Sequence, residues 1–211
     1  MKRLAFLVII IALPILVYFQ YSNYERFHPP STYDYVINDS IDVHYHDQSV
    51  LQQYYKNAFE IGTFARSSWR TYEIDVQFPD QEDEQSRQAV EYYQQLLTTT
   101  AHLEDVLIYS KGLKDKGFDN QQIAEIEKQG ISPRGFLLQQ SGLLQGLERG
   151  DKGEAVWELQ RILQQKGYDL PVDGVFDVVT EDALKKYQQA EELYPSGKVD
   201  ASSHHELIRS L

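Results

Sequence analysis

Two groups of side chains in this sequence have types and spacings that suit chemistry. Asp42, His44 and His46 lie two residues apart, so on an extended strand all three share one face, where two imidazoles and a carboxylate make a donor set for a divalent metal. Glu73 or Asp75, on a later alternating run, would complete that site if the two runs pair. The alternative is the solvated face of a sheet whose other face is Ile41, Val43 and Tyr45, and nothing fixes a third ligand, so no metal is assigned. The second group is carboxylates. Glycoside hydrolysis needs an acid and usually a second carboxylate at a set separation, and Glu60, Asp75 and Glu82-Asp83-Glu84 are available. Glu60, however, sits among the apolar residues of a helix, and the acidic run reads as a solvated loop entering a helix. There is no nucleophile-elbow pattern. With no cysteine the chain has no thiol nucleophile, thiolate metal site or disulfide framework. His204 and His205 are adjacent, diverge on a helix and read as surface residues. No catalytic residue and no cofactor is assigned.

The elements that would position these groups alternate at two periods. Tyr33, Tyr35 and Ile37, then Ile41, Val43 and Tyr45, flank Asn38-Asp39-Ser40 and predict a β-hairpin; Tyr72, Ile74, Val76 and Phe78, ending at Pro79-Asp80, predict a third strand. Residues 50–69 carry Leu51, Tyr54, Ala58, Ile61, Ala65 and Trp69 on one helical stripe. A longer stripe over 86–113 takes Ala89, Tyr93, Leu96, Thr100, Leu103, Leu107 and Ser110. Asp119 and Gln122 have capping-box spacing for a short helix closed by Gly130, and Ser132-Pro-Arg-Gly135 makes a break before the stretch 136–144.

The last third of the chain is organised differently. Val156, Leu159 and Leu163 recur at helical spacing, and Val156-x-x-Leu159-Gln160 returns as Leu184-x-x-Tyr187-Gln188, which reads as a duplicated helix-and-turn unit. Each half reaches a turn, Asp173-Gly174 in the first and Gly197-Lys198-Val199-Asp200 in the second. Gly167 suits a left-handed helix end, Thr180 suits an N-cap for a helix over 181–190, and Ser203 with Glu206 has capping-box spacing.

This ordered set resembles the three-helix peptidoglycan-binding domain found beside many bacterial cell-wall enzymes. The residues that carry the resemblance run from Leu147, Gly150 and Gly153 through Val156, Leu159-Gln160, Leu163 and Gly167. They continue through Asp173-Gly174-x-Phe176, Thr180, Ala183-Leu184, Tyr187-Gln188, Leu193, Gly197, Val199-Asp200 and Leu207. Asp177 stands where the family usually has Gly, and Ser203 where it usually has Thr; the first alters a loop beside the ligand groove. The resemblance implies a compact helical fold and ligand-binding positions at Gln160, Asp173, Gly174, Phe176, Thr180, Tyr187 and Gln188. Of these, Gly174 also has reason to set a turn, Thr180 to cap a helix and Phe176 to fill the core, which leaves Gln160, Tyr187 and Gln188 as the better candidates for ligand contact.

At the other end, Met1-Lys2-Arg3 precedes an apolar run from Leu4 to Phe19 that closes on Tyr18, Phe19 and Tyr21. Basic residues ahead of an apolar run keep that end in the cytoplasm, and aromatic residues suit a membrane interface. The segment is expected to be a retained single-pass anchor, with a signal peptide as the alternative. The formal net charge is −12, from 20 Lys and Arg against 32 Asp and Glu. So acidic a chain is a poor partner for nucleic acid, whose phosphates need basic side chains, and for anionic lipid.

The expected fold class is therefore α+β, mainly helical: a membrane helix or uncleaved signal over residues 1–21, a spacer over 22–32, a small α+β domain of unrecognised family over 33–146, and a compact helical peptidoglycan-binding-like domain over 147–211. The expected function is that of a membrane-tethered envelope protein, non-enzymatic, on the outer side of the cytoplasmic membrane in the periplasm or cell wall. It would bind peptidoglycan non-covalently, with the inner membrane as a second partner. The alternatives are a peptidoglycan hydrolase whose catalytic domain is the middle region, and an adaptor docking another envelope protein.

Overall fold

The computed structural model describes residues 2–28, 33–78 and 83–211. Among them the chain forms α1 (Lys2–Phe27), α2 (Gln48–Tyr72), α3 (Glu84–Asp115), α4 (Asn120–Gln129), α5 (Pro133–Ser141), α6 (Glu154–Gln165), α7 (Val178–Ala190) and α8 (Ala201–Arg209). Contacts divide it into two compact units, Met1–Gly117 and Phe118–Leu211. The four prolyl-side spacer residues 29–32, the end of the third alternating run at Pro79-Asp80, and Glu82 lie outside the described residues.

The α+β expectation is corrected: among the described residues the fold is all-helical, and the only strand-like pairing is one isolated antiparallel bridge between Lys152 and Val175. The physical reason is that the alternating runs bury their apolar side chains against helices rather than pairing with each other. Tyr33, Ile74 and Val76 enter one core with Ile61, Ala65, Tyr93 and Leu96. Their backbone groups are satisfied by turns and side chains in place of a ladder. The Ser40 amide donates to the Asn38 side chain, the Gln77 amide to Asp75, and the Asp42 amide to the Leu107 carbonyl of α3. What reads as the start of a third strand at Tyr72 is the last turn of α2, closed by Glu73 in the left-handed region (φ 60°).

The membrane-helix expectation is corrected as well. Among the described residues no helix is long and apolar enough to cross a membrane. The apolar run from Leu4 to Phe19 covers about 24 Å at 1.5 Å per residue, less than the roughly 30 Å of a hydrocarbon core. Beyond it α1 continues through the polar Gln20-Tyr21-Ser22-Asn23.

In the first unit the helical stripes behave as their spacing dictates. Asp47 caps α2 by accepting from the Ser49 amide, and Leu51, Tyr54, Ala58, Ile61 and Ala65 are buried. Asp83 caps α3, whose Tyr93, Leu96, Thr100, Leu107 and Ser110 face inward. The two helices run antiparallel, since Tyr54 bonds Glu104 while Tyr92, further back along α3, bonds Glu60.

In the second unit, Asp119 and Gln122 form the expected capping box, Gly130 closes α4 in the left-handed region, and Ser132 caps α5. Gly135 is the point where α5 meets α8: a β-carbon there would lie 2.9 Å from the backbone oxygen of Ile208. Backbone oxygen yields only if the helix moves, so Gly135→Ala is expected to cost about 1–2 kcal/mol, overpacking outweighing the helix propensity gained. Gly112 on α3 has nothing within 4 Å of an added β-carbon, and Gly112→Ala is expected to stabilise by about 0.5–1 kcal/mol. Denaturant midpoints of the two variants should move in opposite directions.

Candidate functional site

The C-terminal site is built around two buried glutamines. α6 begins after Gly153, which adopts φ 113° and so favours glycine. Its stripe of Val156, Leu159, Ile162 and Leu163 is fully buried, and Gln160 is carried in beside it with no exposed surface. Its Oε1 accepts from the Asp173 amide at 3.0 Å and the Gly174 amide at 2.8 Å. Its Nε2 lies 3.0 Å from each of the Asp173 carboxylate, the Val175 carbonyl and the Thr180 hydroxyl. One carboxamide thus ties the 173–175 turn to α6 and to the first turn of α7.

Gln188 on α7 is held in a corresponding way. Its Oε1 accepts from the Gly197 amide at 2.9 Å, and its Nε2 reaches Ser196 Oγ, the Lys198 carbonyl and Ser203 Oγ at 3.1, 2.9 and 2.8 Å. Gln160 and Gln188 serve here as internal clamps. Phe176 and Tyr187 fill the core at 1% exposure, and Tyr187 meets the Tyr168 ring edge-on with the Lys166 ammonium 5.5 Å from its centroid. Burial pushes the Tyr187 hydroxyl up to about 12, so it stays neutral at ordinary pH.

Gly174 takes φ 74°, and the turn it forms presses against the start of α6 through Gly153 N–H donating to the Gly174 carbonyl at 2.8 Å. Gly150 and Phe176 exchange a further pair of contacts with this strap, at 2.9 Å for Gly150 N to Phe176 O and 2.9 Å for Phe176 N to Asp151 O. Asp173 alone of the seven expected site residues is exposed. Hydrogen bonds from the Val175 amide and the Gln160 side chain hold its carboxyl below the usual range.

Two caps differ from expectation. Asp177, not Thr180, starts α7: its carboxylate accepts from the Val179 and Thr180 amides at 2.9 and 3.1 Å. At φ −94° this position needs no glycine, so the departure from the family pattern supplies a helix cap. Likewise Asp200 caps α8, and Ser203 sits in the first turn bonded to both Asp200 and Gln188.

A residue the sequence reading passed over stands beside the turn. Trp157 falls off the 156–159–163 stripe and is 42% exposed. Its Cβ would lie 3.7 Å from a β-carbon at Gly174, and the Arg161 guanidinium sits 5.4 Å from its ring centroid. The signal for it is in the sequence: a tryptophan next to the buried stripe rather than on it points outward.

The candidates of the first unit are placed in structural roles. Asp42 is 3% exposed and faces α3, where its carboxylate accepts from Ser110 Oγ at 2.7 Å and Lys114 Nζ at 2.9 Å, and from the His44 amide at 3.0 Å. The same ammonium donates to the His44 carbonyl at 2.7 Å. Burial pulls the Asp42 carboxyl up, but the Lys114 and Ser110 bonds outweigh it and hold the group below its ordinary value. Asp42 therefore faces α3 while His44 is exposed, and among the described residues no three His, Asp or Glu side chains are grouped to hold a metal ion. Glu60 accepts from Tyr92, Asp75 from the Gln77 amide, Asp83 caps α3, and Glu84 pairs with Arg87.

Residues 152–203 match the family described as Putative peptidoglycan binding domain. Among solved structures, the chain is similar to the SleB N-terminal domain, at 37% identity over 32% of this chain and 93% of that one, with a TM-score of 0.31. It is also similar to a peptidoglycan-binding protein from Clostridioides difficile in complex with glutamine hydroxamate, at 24% identity over 32% of this chain and a TM-score of 0.31. The chain spans 43% of that second protein's length. Comparison with curated proteins gives no match. The family match over residues 152–203 supports a peptidoglycan-binding domain in the C-terminal region.

Proposed function

We propose that the chain holds peptidoglycan non-covalently, through the surface where Trp157 and the exposed Asp173 flank the Gly174 turn, and that it does so without cleaving the polymer. The observation that carries this reading is the family match over residues 152–203, a stretch that spans α6, the clamped turns and α7. The exposed chemistry of that surface suits a glycan. An indole face packs on the C–H face of a sugar ring, while a carboxylate and backbone groups receive its hydroxyls. Peptidoglycan lies outside the cytoplasmic membrane, in the periplasm or cell wall, which is where the chain would act.

The reading of the two halves as copies of one unit has support in the clamps. Asp173, Gly174, Val175 and Thr180 around Gln160 answer to Ser196, Gly197, Lys198 and Ser203 around Gln188. The glutamines are 28 residues apart and each turn pair 23, so the second loop is shorter by five. In both halves the carboxamide makes a rigid turn and leaves the neighbouring surface to the ligand.

Trp157 supplies the test. With Trp69→Phe as background, addition of solubilised peptidoglycan fragments should shift the remaining indole emission, and Trp157→Ala should weaken binding about tenfold or more, the scale of a buried aromatic contact. Equal affinity of Trp157→Ala and the parent chain would remove this surface from the account.

A further inference from the structure

A cleft in the second unit lies wholly outside the matched residues. It is a cavity of about 370 Å³ between α4, α5 and α8, lined by Gln129, Ile131, Gln139, His204, His205, Ile208 and Arg209. Its volume falls at the small end of ligand pockets, which run from roughly 300 to 1,000 Å³. Ile131 and Ile208, at 8% and 3% exposure, supply the aliphatic surface.

Above that surface lie the polar groups. The His204 ring lines the cleft, and its Nε2, without a hydrogen-bond partner, is turned away from solvent. Burial, with His205 alongside, lowers the His204 pKa and keeps the ring uncharged. Gln139 is exposed and its side chain makes no hydrogen bond among the described residues. Arg209 is engaged by Glu206 through both carboxylate oxygens at 3.1 Å. A second depression of about 590 Å³ shares Gln129 and Gln139 and continues past Gln121, Phe136 and Gln140, with Asp119 and Glu125 on its wall.

We propose that this cleft is a second saccharide subsite, which takes the acetamido group of an N-acetylated amino sugar: the methyl against Ile131 and Ile208, the amide to the donor and acceptor of the Gln139 carboxamide, with the His204 ring as a wall. It rests on the reading of the chain as a peptidoglycan binder, whose glycan carries such sugars. An acetamido group pairs one apolar end with one donor and one acceptor, as the cleft does. An anionic ligand fits poorly, because the chain carries −12, the adjoining wall is acidic and the one arginine is already neutralised. A wholly apolar ligand would bury the carboxamides unpaired. The adjoining depression gives the next sugars of a polymer somewhere to lie.

The test uses the full chain and two neutral probes, the β-1,4 trisaccharide of N-acetylglucosamine and that of glucose, which differ only in the acetamido groups. The acetylated probe should shift the His204 ring resonances, the glucose probe should not, and Gln139→Ala should weaken the acetylated probe about tenfold. A silent His204 ring beside an intact Trp157 response would overturn the cleft and spare the proposed wall-binding surface. A shifted ring with no Trp157 response would support the cleft and remove that surface. Equal affinity for the two trisaccharides would overturn the assignment to the acetamido group.

Discussion

Gln160→Leu is expected to destabilise the C-terminal unit by about 3–5 kcal/mol. Leucine keeps most of the volume but leaves the Gly174 amide and the Val175 carbonyl without the partners that the carboxamide supplies, and each buried polar group left unpaired costs about 1–3 kcal/mol. The Thr180 hydroxyl, fully buried, loses its donor in the same step. Gln160→Glu separates packing from bonding. Its carboxylate could still accept from the Asp173 and Gly174 amides, but it would place a second acceptor against the Asp173 carboxylate and the Val175 carbonyl. It too should destabilise, and more at neutral pH than at pH 4, where protonation restores a donor. Amide hydrogen exchange of α6 and α7 reads the effect locally: protection should fall by about a hundredfold or more in Gln160→Leu. Unchanged protection would show that the clamp contributes little.

Asp42→Ala should cost the first unit a similar amount, about 3–5 kcal/mol, the scale of removing one partner from a buried ion pair. Its carboxylate holds the 41–45 loop to α3 through Ser110 and Lys114 and turns the loop through the His44 amide. Because its folded pKa lies below the ordinary value, the contribution is complete above the unfolded value, roughly pH 4, and is lost as pH falls through the lower folded value. The gap between parent and Asp42→Ala stabilities, followed by denaturant unfolding, should therefore be widest above about pH 5 and narrow below it. A gap that widens on acidification would contradict the assignment.

Much of this architecture is legible in the spacing of apolar residues. The stripes on α2, α3 and α6, the capping box at Asp119 and Gln122, and the positive-φ turn at Gly174 follow from periodicity and from what glycine and short polar side chains can do. That the alternating runs of the first unit form no sheet among the described residues is not, because an extended strap packed on helices alternates in the same way as a strand. Tyr33, Ile74 and Val76 bury one side and expose the other whether a helix or a neighbouring strand receives them. A period of two reports one-sided burial, and only the partner decides between strap and sheet.

The site shows the same limit at finer scale. The recurrence of glutamine at 160 and 188 is plain in the sequence, but not the side of the helix on which each amide lies, and a shift of one position would have turned both outward. Thr180 and Asp177 are both good caps by residue type, and three residues apart they compete for one helix start. Asp177 takes it because Thr180 is committed to Gln160. Trp157 follows the opposite logic, since a large aromatic side chain next to a stripe is exposed for the same reason that the stripe is buried.

Co-sedimentation of the full chain with purified insoluble peptidoglycan tests the central claim most directly, with the supernatant assayed for released fragments. The account predicts that the parent chain pellets with the wall, that Trp157→Ala pellets less, and that no soluble fragment appears. A parent chain that stays in the supernatant at low and physiological salt alike would contradict wall binding, and released fragments would contradict the reading of the chain as a binding protein that leaves the polymer intact.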